Sequence, residues 1–247
     1  MKQSSCYDAV GIGVGGDVTK VFDHIAEIAA IEYLQNFESF TLVSEETGVQ
    51  TIGSRPKGFV ILDPIDGSTN LSHGLHICCI SIAFGAEPTF RDLEAAVVMD
   101  IFSGRCYHAV QGDGAYRDLV PIQPSSSSPL EECVIGVDSD FPAFRLMKAS
   151  SNKQNPRIRY TRHLGSNALE LCYVADGTID GFVDLRGVFR GTDLSAASLI
   201  LQEAGATLLD HKGKIVTGKC TNDESYSFVA ARDKELAKQL LQLAKRG

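Results

Sequence analysis

Apolar residues recur along the chain at a spacing of three and four, and this spacing predicts helices. The best-marked helix spans 192–205, where Gly205 stands at the position of a C-terminal cap. Further helices are predicted at 19–37, 166–177 and 233–247. In the first of these, the residues expected to share one buried face are Val21, Phe22, Ile25, Ala29 and Tyr33.

Between the helices, short apolar runs predict strands. In the first half of the chain these runs span 58–63, 76–85, 93–101 and 104–110, and a turn cluster is predicted at 111–118. In the second half they span 133–138, 179–185, 206–210 and 227–232. Because strands joined by short turns cannot all be parallel, the pattern favours an α/β (α+β) protein with mixed sheets.

A Pro/Ser-rich segment, PIQPSSSSPLEE at 121–132, is the one low-complexity stretch in the 247-residue chain. It predicts a boundary between an N-terminal α+β half, 1–122, and a C-terminal α/β half, 129–247. This length is enough for one large domain or two closely joined halves.

The charge distribution argues against a nucleic-acid or membrane partner. The net charge is −8, with no block rich in lysine and arginine and no apolar run of the roughly 20 residues that cross a bilayer. The N-terminus lacks the long apolar region of a signal peptide, so a soluble, cytoplasmic protein is expected. The seven cysteines show no C-x-x-C spacing, which indicates neither a disulfide framework nor a zinc site.

The segment FVILDPIDGSTN ends an apolar run in two carboxylates, Asp63 and Asp66. Pro64 stops the strand, and the residues after Asp66 are typical of a turn and a helix start. Two carboxylates this close repel each other unless a cation neutralises them, and oxygen ligands of this kind suit Mg²⁺. The alternative is an ordinary tight turn that begins with aspartate.

Further acids follow other predicted elements. Glu45 and Glu46 follow an apolar segment, and Asp193 opens the helix at 192–205. The alternative interpretations are a solvated loop for the glutamates and a simple N-cap for Asp193. Backbone N–H groups after Asp66, at a helix start, would bind a phosphate. Acidic metal ligands beside a phosphate site indicate metal-assisted phosphoryl hydrolysis.

Four segments in this order, GDVTKVFD, SEETG, LDPIDGSTN and GTDLSAASLILQEAGA, resemble the signature segments of the inositol monophosphatase superfamily. The resemblance is closest to the archaeal branch that acts on fructose 1,6-bisphosphate and inositol monophosphates. It implies a five-layer αβαβα sandwich of the sugar-phosphatase type, with mixed sheets. It further implies an Mg²⁺-dependent phosphomonoesterase that forms a homodimer and acts on a phosphorylated sugar or cyclitol.

The resemblance also implies the metal ligands. It assigns Glu45, Asp63 and the backbone carbonyl of Ile65 to one Mg²⁺, and Asp63, Asp66 and Asp193 to a second. Asp63 would bridge the two ions. A third, weaker metal site is a feature of the family, and Mn²⁺ is expected to substitute for Mg²⁺.

Catalytic roles follow from the same resemblance. Asp23 and the Ser68 hydroxyl would orient the attacking water, and Glu45 would accept its proton or only hold the ion. Asp23 would also lie near the third metal. Gly67 and Ser68, together with Asp66, match the positions that bind the phosphate.

Substrate specificity is expected to come from the second half. The segment RHLGSN matches a family substrate loop and makes Arg162, Ser166 and Asn167 candidates, with a surface turn as the alternative. The segment DLRGVFRGTD carries Arg186 and Arg190, and a guanidinium matches the geometry of a second phosphate. Arg186 is favoured over Arg190 because the resemblance to the archaeal branch includes its D-x-R pattern. The alternative is a solvated arginine.

Other interpretations compete with this one. GIGVGG, at 11–16, has the glycine spacing of a dinucleotide loop but not its context, and is expected to be a backbone-exposed loop over the metal site. Only 16 residues precede DVTK, where family members have a further helix and a lysine-bearing loop. The alternative functions are a phosphatase for 3'-phosphoadenosine nucleotides or NADP, and a metal-binding protein without activity.

Overall fold

The computed structural model describes residues 8–14, 18–138 and 158–245. The strands are β1 (Ala9–Ile12), β2 (Val18–Lys20), β3 (Phe40–Ser44), β4 (Gly48–Ile52), β5 (Phe59–Asp66), β6 (Cys79–Gly85), β7 (Leu93–Asp100), β8 (Cys106–Val110), β9 (Gly114–Arg117), β10 (Val120–Pro121), β11 (Val134–Val137), β12 (Tyr160–Arg162), β13 (Gly181–Arg190), β14 (Thr207–Asp210) and β15 (Ser225–Ala231). The helices are α1 (Val21–Leu34), α2 (Ser68–Ser72), α3 (Asn167–Ala175), α4 (Gly191–Ala204) and α5 (Lys234–Lys245), with a 3₁₀ turn at Leu130–Glu132.

Two large sheets carry the fold, and both are mixed, as the sequence predicts. The first has the order β10-β9-β8-β7-β6-β5-β3-β4. Its strands β3 and β5 are parallel, and all its other neighbouring strands are antiparallel. The second has the order β12-β11-β13-β15-β14, in which β11 is parallel to both of its neighbours. A small antiparallel ribbon of β1 and β2 precedes them.

Helices lie on both sides of each sheet. α1 packs on the outer face of the first sheet, α3 and α4 pack between the two sheets, and α5 covers the outer face of the second. This confirms the predicted five-layer αβαβα arrangement. α4 is buried on nearly all sides because it lies between two sheets, and small residues such as Ala196, Ala197 and Ser198 allow the close approach.

The largest hydrophobic cluster joins the two halves of the chain. It includes Val43 and Tyr107 from the first sheet together with Phe182 and Phe228 from the second. The sheets themselves do not mix, since the first is built from strands that end at Pro121. The division into halves at 1–122 and 129–247 stays a prediction.

The buried face of α1 differs from the predicted one. Ile25 is 57% exposed and Tyr33 is 66% exposed, whereas Asp23 and Glu27 are almost completely buried. The helix turns these carboxylates toward the loop after β3, where Thr47 donates a hydrogen bond of 2.8 Å to Glu27. The sequence prediction of this face was wrong because the helix packs with Asp23 and Glu27, followed by Ala30, Ile31 and Leu34, against the rest of the protein.

The structure corrects a second prediction, the turn cluster at 111–118. Gly114–Arg117 forms β9, which pairs with β8, and the turns are confined to the residues on either side of it, 111–113 and Asp118. The predicted helices at 166–177 and 192–205 are confirmed as α3 and α4, and Gly205 caps α4 with φ of 87°. The predicted loop GIGVGG begins within β1, and part of it lies outside the described residues.

Candidate metal centre

Two neighbouring parallel strands deliver the first two acids of the site. Ser44 at the end of β3 pairs with Leu62 of β5, so the residues that follow them, Glu45 and Asp63, lie at the same edge of the sheet. The Glu45 amide also donates to the Leu62 carbonyl at 3.2 Å. Backbone pairing therefore brings these two carboxylates together.

A break in the sheet adds the third acid. The register between β5 and β6 shifts between Asp63 and Asp66, because Pro64 cannot donate to the ladder and the chain bulges there. The Ile65 amide donates to Asp63 Oδ1 at 3.0 Å. Gly67 then adopts φ of 92°, and a Cβ at this position would lie 2.9 Å from a carbonyl oxygen. The tight turn after β5 therefore also brings Asp66 close to Asp63.

The first turn of α4 contributes Asp193. One carboxylate oxygen from each of Glu45, Asp63 and Asp193 can be chosen so that all three lie within 4.8 Å of one another. The Glu45 and Asp193 side chains are each 14% exposed, and Asp63 is 2% exposed. Three partly buried carboxylate oxygens at this separation fit a hard divalent cation such as Mg²⁺.

The electrostatics of the metal-free cluster are unfavourable. Burial, together with the negative charge of Asp193, raises the pKa of Glu45 to about 8. Burial, with Glu45 and Asp66 nearby, raises the pKa of Asp63 well above its usual range. These shifts mean that the negative charge of the cluster is not fully balanced, and a divalent cation would supply the missing positive charge.

Asp66 lies beside this trio and is held by α3. Its Oδ2 accepts hydrogen bonds from the Ser166 hydroxyl at 2.9 Å and from the Ala168 amide at 2.7 Å. Burial raises the pKa of Asp66 to about 6, and these hydrogen bonds oppose the rise. The buried Cys79 thiol is 3.5 Å from the same oxygen. Asp66 is therefore fixed in place by the second half of the chain.

Asp23 approaches the site from α1. Its carboxylate accepts a hydrogen bond of 2.9 Å from the Lys20 amide. Burial raises the pKa of Asp23 to about 6, and the negative charge of Glu46 adds to this rise. Glu46 in turn accepts a hydrogen bond from the Thr19 hydroxyl. The turn at 45–47 is thus fixed to β2 and α1 instead of being a solvated loop.

The expected phosphate-binding residues open the short helix α2. Ser68 is its first residue and Gly67 precedes it. Lys20 Nζ contacts the Ser68 carbonyl at 3.3 Å and the Ser72 hydroxyl at 2.6 Å. Asn70 fixes α2 to the loop before α3, through a hydrogen bond of 2.6 Å to the Leu164 carbonyl.

The predicted substrate residues are at different depths. Ser166 is fully buried and its hydroxyl is bound to Asp66, and Asn167 follows it as the first residue of α3. Arg162 is exposed on β12. Arg186 is paired with Asp184 and Asp138, at 2.7 Å each. Direct contact of these residues with a substrate stays a prediction.

Two residues that contact the site or its supporting strands, Arg190 and Asn222, were not predicted to do so from the sequence. Arg190 Nη2 pairs with Glu45 Oε1, and Arg190 Nε pairs with Asp193 Oδ2 at 3.2 Å. Asn222 donates to the Ser44 carbonyl at 2.6 Å and accepts the Thr192 hydroxyl at 2.9 Å. The spacing of three residues between Arg190 and Asp193 could have indicated the role of Arg190. Asn222 lies in a loop far along the chain, and nothing local marks it.

A family model matches almost the whole chain. The model of the inositol monophosphatase family matches residues 13–246. The chain belongs to the inositol monophosphatase family. A fructose-1,6-bisphosphatase/inositol-1-monophosphatase from Methanothermobacter thermautotrophicus is 33% identical over 245 residues, covering 95% of this chain and 86% of the relative. A bifunctional NADP phosphatase/NAD kinase from Methanococcus maripaludis is 33% identical over 227 residues, covering 85% of this chain and 40% of the relative.

Solved structures of family members share the fold. A Pyrococcus horikoshii protein described as similar to inositol-1 monophosphatase superposes with a TM-score of 0.81 at 29% identity, covering 96% of this chain and 88% of that one. An inositol monophosphatase–fructose 1,6-bisphosphatase superposes with a TM-score of 0.82 at 28% identity, with the same coverage. Among the described helices of this chain, none combines the length and apolarity needed to cross a membrane.

The raised carboxylate pKa values predict a pH-dependent stability of the metal-free protein. The folded state keeps the Glu45 proton up to a pKa of about 8, whereas the ordinary value is 4.5, so folding binds protons within this window. The free energy of unfolding in EDTA is therefore expected to fall as the pH rises from about 4.5 to about 8. Denaturant unfolding at a series of pH values measures this.

The matched control is Glu45→Gln, which removes the titrating carboxylate. We expect this variant to show a shallower fall in stability over the same pH window. Added Mg²⁺ should reduce the fall in the parent protein. A metal-free stability that stays constant or rises over this window would contradict the assigned burial of negative charge.

Proposed function

We propose that this protein is a Mg²⁺-dependent phosphomonoesterase that hydrolyses fructose 1,6-bisphosphate and inositol 1-phosphate. The observation that carries the proposal is the close approach of Glu45, Asp63 and Asp193 at a sheet edge, with Asp66 beside them. The family membership and the similarity to relatives named fructose-1,6-bisphosphatase/inositol-1-monophosphatase support the same activity.

The metal requirement rests on the donor set. Mg²⁺ would supply a stronger water nucleophile and positive charge for the leaving oxygen. Glu45, Asp63 and the Ile65 carbonyl would hold one ion, and Asp63, Asp66 and Asp193 a second. A third ion near Asp23 and the use of Mn²⁺ belong to the same proposal.

Residues of the chain would orient the reacting groups. Asp23 and the Ser68 hydroxyl would position the attacking water, because Lys20 links the end of β2 to both segments. The amides of Gly67 and Ser68 would bind phosphate oxygens. Asp66 would keep its orientation through the donors of α3, so that water and phosphate meet in a fixed geometry.

Residues from the second half of the chain would complete the substrate-binding site. Arg162 ends β12, and the loop that follows it packs against α2 through Asn70. This loop leads to Ser166, whose hydroxyl donates to Asp66, and to Asn167 at the start of α3. Arg186 is the candidate for a second phosphate. We also propose a homodimer, which rests on the family resemblance alone, and a cytoplasmic location, which rests on the charge and hydropathy of the sequence.

A second candidate is a phosphatase for NADP or for 3'-phosphoadenosine nucleotides. The observation in its favour is the similarity to relatives named bifunctional NADP phosphatase/NAD kinase. The metal centre would be unchanged, and only the contacts to the leaving group would differ. The substrate class must therefore be tested separately from the chemistry.

We expect Asp66→Asn and Asp193→Asn to abolish Mg²⁺-dependent phosphate release while the protein remains folded. Each change removes one charge from a proposed ligand, and we expect a loss of more than about a hundredfold in kcat, because bound metal contributes several kcal/mol to the transition state. Phosphate release and circular dichroism measure the two effects. The control is Asp113→Asn, in the turn before β9. Near-parent turnover in either ligand variant would contradict the two-metal assignment.

The substrate class is tested by phosphate release from fructose 1,6-bisphosphate, inositol 1-phosphate, NADP and 3'-phosphoadenosine 5'-phosphate, each with Mg²⁺ and with EDTA. We expect the first two to be hydrolysed with the highest kcat/KM, and only with Mg²⁺. A preference for either nucleotide would establish the second candidate. Release that does not depend on Mg²⁺ would overturn both.

Arg186→Ala is expected to raise KM for fructose 1,6-bisphosphate by about tenfold, because a hydrogen-bonded ion pair with the second phosphate is lost. The KM for inositol 1-phosphate should change much less. Steady-state kinetics with both substrates measure the difference, and Arg162→Ala serves as a comparison on β12. Equal changes for the two substrates would exclude a role of Arg186 in binding a second phosphate.

A further inference from the structure

A guanidinium group lies inside the proposed metal centre. Arg190 Nη2 donates to Glu45 Oε1, and its Nε donates to Asp193 Oδ2 at 3.2 Å. The resemblance places these two acids on different ions, so Arg190 spans both parts of the centre. Its side chain is only 15% exposed. Charge pairs at this depth are screened much less than pairs on the surface.

Backbone packing determines where this guanidinium lies. Arg190 is the last residue of β13, where it pairs with Ser225, and α4 begins at the next residue. Gly191 leaves no room for adjustment, since a Cβ there would lie 2.4 Å from the Lys219 carbonyl. The strand end and the helix start thus hold Arg190 and Asp193 on the same side of the centre.

One positive charge does not balance the carboxylates. The Arg190 guanidinium contacts the carboxylates of Glu45 and Asp193, and Asp63 offers a carboxylate oxygen within 4.8 Å of both. Asp66, at the end of the same strand as Asp63, adds a further carboxylate. The guanidinium therefore relieves part of the repulsion in the metal-free protein, and it leaves enough negative charge to bind a divalent cation.

We propose that Arg190 is an internal counter-cation of the metal centre, which holds Glu45 and Asp193 together without metal and thereby weakens Mg²⁺ binding. This inference rests on the proposed function, because it requires that the centre binds Mg²⁺. The reason is a thermodynamic cycle. Removing Arg190 exposes the metal-free site to full carboxylate repulsion, whereas the loaded site also loses the repulsion between the guanidinium and the metal.

Both consequences act in the same direction. With the carboxylates ionised, the metal-free state becomes less stable and the loaded state loses an unfavourable interaction, so the affinity for Mg²⁺ must rise. A guanidinium whose only role is to orient the ligands predicts the opposite, because its removal would disorder Glu45 and Asp193 and weaken binding. The sign of the change in Mg²⁺ affinity distinguishes the two roles.

The experiment is titration of the full chain with MgCl₂ by isothermal calorimetry, without substrate and in alkaline buffer, where the carboxylates are ionised. Thermal unfolding in EDTA and in Mg²⁺ is measured in the same buffer. For Arg190→Gln we expect a Kd for Mg²⁺ that is roughly tenfold lower than in the parent, since a charge near a divalent cation is removed in partly buried surroundings. We also expect a lower Tm in EDTA and a larger increase in Tm on addition of Mg²⁺.

Two further variants complete the test. Arg190→Lys keeps the charge but not the two-armed donor geometry, so its Kd should lie between those of the parent and Arg190→Gln. Arg186→Gln is the matched control on the same strand. Because Arg186 pairs with Asp138 and Asp184, this variant should leave the Kd for Mg²⁺ unchanged.

The outcomes separate the inference from the proposed function. An equal or higher Kd in Arg190→Gln overturns the counter-cation role. If Arg190→Gln is unfolded in EDTA but folds when Mg²⁺ is added, the role is supported. If it stays unfolded in both, Arg190→Lys decides, and a Kd at or above that of the parent overturns the role. A parent protein that shows neither heat nor stabilisation with Mg²⁺ contradicts the proposed function itself.

Discussion

Mutual repulsion among carboxylates where β5 ends and α4 begins is the constraint on which the site depends. Burial is the largest cause of the raised pKa values of Glu45, Asp63 and Asp66, and neighbouring carboxylates add to it. At neutral pH such a cluster opposes folding unless positive charge or hydrogen bonds compensate it. The surrounding elements must therefore keep the acids together by packing, while leaving room for a cation.

Neutral donors provide much of this support. The Ser166 hydroxyl and the Ala168 amide hold Asp66, and Asn222 joins the end of β3 to the start of α4. These groups stabilise negative charge without adding a cation that would compete with a metal. They also come from the second half of the chain, whereas Asp66 comes from the first. The site is thus a reason for the two sheets to pack closely, and not only a result of that packing.

The sequence predicted the parts of this site that are local. DPIDGST contains its own strand end, turn and ligands, and the helix at 192–205 has clear helical spacing and a glycine cap, so both could be recognised without the fold. The buried face of α1 could not, because Glu27 is bound by Thr47 and Asp23 lies near Glu46, and both partners are remote from α1 in sequence. The role of Asn222 was also hidden, since its partners, Ser44 and Thr192, are remote in sequence.

The two arginines on β13, Arg186 and Arg190, have different acidic partners, and these partners distinguish the roles proposed for them. Gly187, with φ of 73°, interrupts the strand between Arg186 and Arg190, and Arg186 faces Asp138 and Asp184 instead of the metal ligands. A phosphate that binds Arg186 must compete with these two carboxylates. When the substrate has no second phosphate, Arg186 stays paired with Asp138 and Asp184. Binding such a substrate therefore does not leave a buried charge without a partner. If Arg186 has the proposed role, this arrangement would allow one site to accept both a sugar bisphosphate and a cyclitol monophosphate.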